Sequence, residues 1–351
     1  MISFLASFIG TEYAEMAMNI VIILIKIVVV IAVTLIHVAY ATYWERKVIG
    51  FMQFRLGPRE VGWFGLLQPI ADGVKLFFKE DIIPATGDKP IFYLAPVIFF
   101  ASALTSLSVL PFFDGGWVAN INVGLLFLLA MSSIGAYGIV MAGWSSGSKY
   151  SFLGGLRSAS QVISYEIAMG LSLVGVMIMS GSLNLTEIVK AQYNSPVGFY
   201  AIPQALGFFV FYVAMFAETN RLPFDLPEAE SELVAGYFTE YSGFRFAMFF
   251  LGEYTGMLIM SAIGTLCFLG GWTLPKYIMD LLPFLSQLPP IVWVVVFLGK
   301  VYFFMFLYYW VRATLPRYRY DQLMNIGWKV LIPLALVNIV FTGTLKIMGW
   351  F

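Results

Sequence analysis

A single cysteine, Cys267, and a single histidine, His37, are all the thiol and imidazole that 351 residues supply. One cysteine can neither close a disulfide within the chain nor hold an iron–sulfur cluster, and one histidine excludes a bis-histidine haem. Charge is also scarce. Only 11% of residues are Asp, Glu, Lys or Arg, 20 basic against 20 acidic, while 60% are hydrophobic and 17% aromatic. At a mean hydropathy of +0.85, that much apolar surface cannot be hidden in a water-soluble core, so an integral membrane protein is expected. The opening MISFLASFIGTEYAEMAM carries no basic leading region and no small-residue cleavage site, so its first hydrophobic segment is expected to remain as a span. No internal repeat is evident, which counts against a transporter built from inverted halves.

A helix needs about 20 apolar residues to cross ~30 Å of hydrocarbon. Eight segments meet that need, near 17–43, 91–111, 121–142, 160–181, 199–217, 247–272, 290–311 and 328–348. Helices are expected because lipid offers no partner for backbone N–H and C=O groups, and the segments are too long and too uniformly apolar for barrel strands. The predicted fold class is therefore an all-α integral membrane protein. Eight transmembrane helices form one polytopic domain over 1–351, with loops on one side at about 44–90, 143–159, 218–246 and 312–327. Those four loops hold 14 Lys and Arg residues, whereas the three connections on the other side hold only Lys190 and Lys276. By the positive-inside rule the rich loops face the cytoplasm, and both termini face the opposite side.

Three of these loops are semi-apolar. The run GWFGLLQPIADGVKLFFKED sets Phe64, Leu67, Ile70, Val74, Phe77 and Phe78 at mostly three- and four-residue spacing, with Asp72, Lys75 and Lys79 elsewhere. That pattern predicts an amphipathic helix in the interface plane, and a plain surface anchor explains it equally well. A second loop, FAETNRLPFDLPEAESELVAGYFTEYSG, spends six carboxylates against one arginine. Asp225, Pro227 and Glu228 read as the start of a short helix with an N-cap, an early proline and a capping-box glutamate. Glu228 and Glu232 then share a face, with Glu230 roughly opposite. A solvated acidic face is the plainer reading. Against it, Leu222, Phe224, Leu233, Val234, Tyr237 and Phe238 bring more apolar area than a free loop shows, so burial under the bundle or a soluble partner is expected. Crowded, partly buried carboxylates do not all ionise, and such groups suit holding and passing protons.

The basic counterparts are Arg46, Lys47, Arg55 and Arg59 among Tyr43, Trp44, Phe51 and Phe54, and Arg312, Arg317 and Arg319 among tyrosines. Arginine interleaved with aromatics can clamp a polar ring headgroup or bind anionic lipid headgroups. Nucleic acid is set aside, since a basic patch at a membrane surface has the simpler explanation. Inside the spans, ionisable residues cost several kcal/mol unless paired or hydrated, so each points to function. Glu166, Glu253 and Glu218 all lie toward the cytoplasmic half. His37 is expected as a satisfied core residue, and Lys26 and Lys300 as counter-charges or snorkelling side chains.

The runs ERKVIGFMQFRLGP, LQPIADGVKLFFKED, SQVISYEIAMGLSL, FAETNRLPFDLPEAESELVAGYFTEYSG and RATLPRYRYDQLM closely resemble the H (chain 1) subunits of proton-pumping NADH:quinone oxidoreductase, respiratory complex I. The resemblance runs in order from about residue 20 to the end. It implies an eight-helix subunit at the heel of the complex that forms much of the quinone chamber and its entrance. Partners would be the quinone-reducing soluble subunits and the small antiporter-side membrane subunits. The chain would be a non-redox part of a translocase: it binds no cofactor alone, quinone is the substrate, and FMN and iron–sulfur clusters sit on partner subunits. That agrees with one cysteine and no Gly-rich nucleotide loop. Carried over by residue, the resemblance assigns the quinone side to Glu45, Arg46, Arg55, Phe224, Arg312 and Arg317. It assigns the proton path to Asp72, Glu166, Glu218, Glu228 and Glu253, with Asp225, Glu230 and Glu232 nearby. A bacterial plasma membrane is the implied location. The alternatives are the related subunit of a membrane-bound hydrogenase, which uses no quinone, and a stand-alone anchor or ion transporter.

Overall fold

The computed structural model describes residues 11–227, 233–281 and 289–349. Among them there is no strand, and seven helices are long and apolar enough to cross a membrane. The first, α1 (Thr11–Met52), has 42 residues. At 1.5 Å per residue it is about 63 Å long, so it outruns the hydrocarbon and carries Glu45 and Arg46 into the loop layer. After it, α2 (Gln68–Phe78) is the interfacial helix. It starts later than the apolar pattern suggested, because Gly62, Phe64 and Gly65 all have positive φ and break the chain ahead of Gln68. Its Ile70, Val74, Phe77 and Phe78 are exposed, as a helix lying on an apolar medium requires.

The spans α3 (Lys89–Leu107), α4 (Gly124–Ser145) and α5 (Lys149–Ser180) follow as packed neighbours. Next come α6 (Leu185–Asn194), α7 (Ala205–Glu218), α8 (Gly243–Phe268), α9 (Lys276–Leu281), α10 (Pro290–Thr314), α11 (Tyr320–Asn325) and α12 (Ile332–Ile347). Helix α7 occupies the fifth expected segment, but its 14 residues reach only about 21 Å. Turns at 199–204 make up the remainder, with the Ala201 amide donating to Phe268 O. The count of eight full-length spans is thus, among the described residues, seven long helices and one short apolar one.

α5 and α8 form the centre. In their most apolar stretches 56% and 67% of residues are buried, against 11% in α1. Between α11 and α12 the chain makes one π-helical turn, Ile326–Leu331. Pro333 explains it: with no N–H to offer the carbonyl four residues back, and a ring that crowds it, the preceding turn widens. Tyr165 of α5 donates to Leu323 O beside this turn, and Gly327 lets the tyrosine ring come close.

All four loops read as basic from the sequence gather at one end. Asp88 N–H donates to Ser145 O, Ser151 reaches Tyr237 O, Arg245 pairs with Asp81, and Arg312 pairs with Glu45. At the other end Asn184 caps α6 through Thr186 N–H and bonds Asn120. Lys300 is neither a counter-charge nor a snorkelling chain. Its ammonium donates to Leu269 O, Gly271 O and Thr273 O at 2.7, 2.9 and 2.7 Å, satisfying carbonyls just past the end of α8.

Candidate functional site

Gln161, fully buried on α5, organises the turn after α7. Its amide donates to Ala217 O at 2.8 Å and to Phe224 O at 2.7 Å, gripping the loop at both ends of the turn. Asn220 sits in that turn at φ 49°, a backbone state asparagine tolerates better than most residues. The turn delivers Arg221 to the middle of the loop layer, 8% exposed.

Arg221 lies between two carboxylates. Its Nη1 is 3.8 Å from Glu45 Oε1 and its Nη2 is 3.5 Å from Glu253 Oε2, while its plane lies 4.4 Å from the Tyr254 ring centre. Glu45 is held further by Arg312, from the last turn of α10, and by the Tyr254 hydroxyl, which donates at 2.6 Å. Glu253 receives the Tyr237 hydroxyl at 3.0 Å. Two buried carboxylates among two guanidiniums and two phenols make a compact charged cluster. Each charge there has partners, which is the condition for keeping it out of water.

This cluster walls a cavity of about 510 Å³, lined by Glu45, Arg46, Arg55, Arg221, Glu253, Tyr254 and Arg312. The volume falls in the usual range for small-molecule sites. Arg46 also pairs with Asp72 of α2 at 2.7 Å, and Gln68 donates to the same carboxylate at 2.9 Å. Asp72 therefore stands at the rim, tying the interfacial helix to α1.

A second, smaller cavity of about 80 Å³ lies between α3, α4, α7 and α8, lined by Ser102, Ser106, Ser132, Glu218 and Asn220, and again by Glu253. Two consecutive serines of α4 divide the neighbouring carboxylates: Ser132 donates to Glu218 and Ser133 to Glu166. The carboxylates at the end of α7 and in the middle of α5 are thereby held by adjacent residues of α4. Glu253 is the residue common to both cavities.

Of the residues expected on the quinone side, Glu45, Arg46, Arg55 and Arg312 meet at the larger cavity. Phe224 and Arg317 lie elsewhere. Phe224 packs between Tyr165 and Tyr318, and Arg317 is 3.3 Å from Asp225, which is itself 6% exposed. Of the proton-path residues, Glu218 and Glu253 share the smaller cavity, with Glu166 on the adjoining serine. Glu228, Glu230 and Glu232 lie outside the described residues, and with them most of the helix expected after Asp225; residues 225–227 are not helical. His37 shares a hydrogen bond with Tyr302 at 3.0 Å. Arg221, Tyr254 and the serine pair were not singled out from the sequence, and Tyr237 only as apolar area expected to be buried, which it is. The serine pair had a visible signal, two adjacent hydroxyls in the apolar run LLAMSSIGAYGIV; nothing local distinguishes the tyrosines.

A family model described as NADH dehydrogenase matches residues 25–343. The H subunit of NADH-quinone oxidoreductase from Rhodospirillum rubrum is 54% identical over 324 residues, covering 92% of this chain and 93% of the relative. Its counterpart from Magnetococcus marinus is 52% identical, over 91% and 90% of the two chains, and that from Rickettsia typhi 52%, over 92% and 93%. The chain belongs to the NADH dehydrogenase family, that of the H subunits of NADH-quinone oxidoreductase.

Proposed function

We propose that this membrane subunit forms the membrane side of a quinone chamber and passes the consequence of quinone reduction to proton translocation. The chamber is the 510 Å³ cavity. Arg46, Arg55, Arg221 and Arg312 give it a positive lining that would draw a quinone headgroup as negative charge develops on reduction. The exposed apolar face of α2, tied to the rim through Asp72 and Arg46, offers the isoprenoid tail a route from the bilayer. Electrons would arrive from clusters on soluble partner subunits docked over the loop layer, and protons would leave toward antiporter-like membrane partners. With the basic loops cytoplasmic and both termini outside, the chamber opens to the cytoplasmic side of a bacterial inner membrane.

One observation carries this reading: Glu253 lines both cavities. A charge change in the chamber acts on Arg221 and so on Glu253, whose carboxylate also faces the cavity that holds Glu218. That smaller volume is roomy enough to hold water between the two carboxylates it exposes, for proton exchange. Glu218 and Glu166 then lie on neighbouring serines.

Two variants of the intact complex separate the halves of the proposal. Arg46→Ala should raise the apparent KM for quinone, and unchanged affinity and turnover would remove Arg46 from the chamber. Glu166→Gln should assemble yet pump fewer protons, and undiminished pumping would remove Glu166 from the path.

A further inference from the structure

Tyr237 is completely buried, although it lies in a loop and carries a polar hydroxyl. Two glycines put it there. Gly236 has φ +54°, and a Cβ on it would sit 1.7 Å from Pro227 O. On the facing helix α5, a Cβ on Gly154 would lie 2.7 Å from Gly236 Cα and 2.9 Å from Tyr237 N. Only with hydrogen at both positions can the loop backbone lie directly on α5. Ser151, one turn before Gly154, donates to Tyr237 O. The Tyr237 ring then enters an aromatic box, with Phe238 at 4.1 Å and Phe249 at 5.6 Å between ring centres, beside the stacked pair Phe92 and Tyr241. Such a box fixes both torsions of the side chain. The hydroxyl emerges at one point and meets Glu253 Oε1 at 3.0 Å.

Glu253 thus meets the acidic loop on one oxygen and Arg221 on the other, at 3.5 Å from Oε2. These two contacts come from opposite ends of the same loop, and together they orient the carboxylate plane between the two cavities. Tyr237 itself lines neither cavity, whereas the Glu253 it bonds lines both.

We propose that Tyr237 is a positioning residue for proton transfer, whose hydroxyl holds the Glu253 carboxylate in the orientation that faces both the quinone cavity and the Glu218 cavity. It differs from a core tyrosine that merely satisfies its hydroxyl on an available acceptor in one respect: loss of the hydroxyl alters proton transfer and leaves packing intact. The proposal rests on the reading of Glu253 as a proton-path residue.

The test uses the whole complex in membranes, with amounts normalised by the NADH-dependent reduction of an artificial acceptor that bypasses the quinone. Tyr237→Phe keeps the ring and removes only the hydroxyl. The expected result is normal assembly, an unchanged KM for a short-chain quinone, and a quinone-linked turnover with coupled pumping reduced about tenfold, the scale of one hydrogen bond to a charged group. Glu253→Asp shortens the acid out of reach of Tyr237, so adding Tyr237→Phe to it should cause no further loss. Additive losses in the double variant, loss of assembly in Tyr237→Phe, or native turnover in Tyr237→Phe would each overturn the proposal. Glu253→Gln tells its failure from failure of the underlying reading: if that variant pumps normally, Glu253 is not on the path and both fall. If it is impaired while Tyr237→Phe is native, only the positioning role falls.

Discussion

Arg221 places one guanidinium nitrogen 3.8 Å from Glu45 and another 3.5 Å from Glu253, so a single side chain joins a residue of α1 to one of α8 across the loop layer. The planar fork serves both acids at once and lies against the Tyr254 ring. A lysine has the charge without the fork or the stacking face. Arg221→Lys should assemble with quinone-linked turnover lowered about tenfold or more, a loss of ~1.5–3 kcal/mol in charge-assisted bonding. Kinetics on membranes at saturating NADH measure it. Turnover within twofold of native would mean the fork is dispensable.

The serine pair of α4 yields a second expectation. Ser132→Ala and Ser133→Ala each remove one hydroxyl donor from a carboxylate, Glu218 and Glu166 respectively. Each should lower proton translocation several-fold, a cost of about 1 kcal/mol for a hydrogen bond of this kind. Dye-quench assays in sealed vesicles report it, and quinone KM should not change, since neither serine lines the larger cavity. A raised KM with normal pumping would reverse the assignment.

Lys300 separates stability from function. Its three carbonyl contacts finish α8 at the end far from both cavities. Lys300→Met should lower the thermal stability of the assembled complex, by roughly 1–3 kcal/mol for carbonyls left without donors. Turnover per surviving complex should stay native. Thermal inactivation half-times with activity normalised to remaining complex check it, and a specific loss of turnover would give Lys300 a role in the path.

Tyr241 gives an alkaline signature outside the spans. Burial pushes its hydroxyl up to about 12, while the stacked Phe92 ring lies at 4.0 Å. With the folded value above the ordinary value near 10, the contribution is complete below pH 10 and is lost as pH rises through 12. Tyr241→Phe should therefore flatten the loss of stability between about pH 10 and 12. An unchanged alkaline limb would exclude Tyr241 as its source.

The membrane class was legible from composition, and the alternation of basic loops was legible from Lys and Arg counts, because both depend on sums over many residues. The amphipathic face of α2 was legible for the same reason, through its three- and four-residue spacing. The short α7 was not. Its expected segment, 199–217, is nearly as long as the others, but the turns ahead of Ala205, where the Ala201 amide donates to Phe268 O, delay the start of the helix. Arg46, Arg55 and Arg312 were reachable as basic residues among aromatics, and the family resemblance put them together and added Glu45. Arg221 and Tyr237 were not, since their roles depend on the Gln161 grip and the Gly154–Gly236 approach, which join segments about 60 to 80 positions apart. Lys300 misled for a related reason: a lysine in a span reads as an unpaired charge until the helix end that it caps is known.

The most direct measurement is proton translocation per electron in sealed vesicles containing the complex with Glu253→Gln, alongside the KM for quinone. As the one side chain among the described residues that lines both cavities, Glu253 should be required for translocation. The predicted result is near-native quinone affinity with turnover and pumping lost together. Native pumping by the assembled Glu253→Gln complex would contradict it.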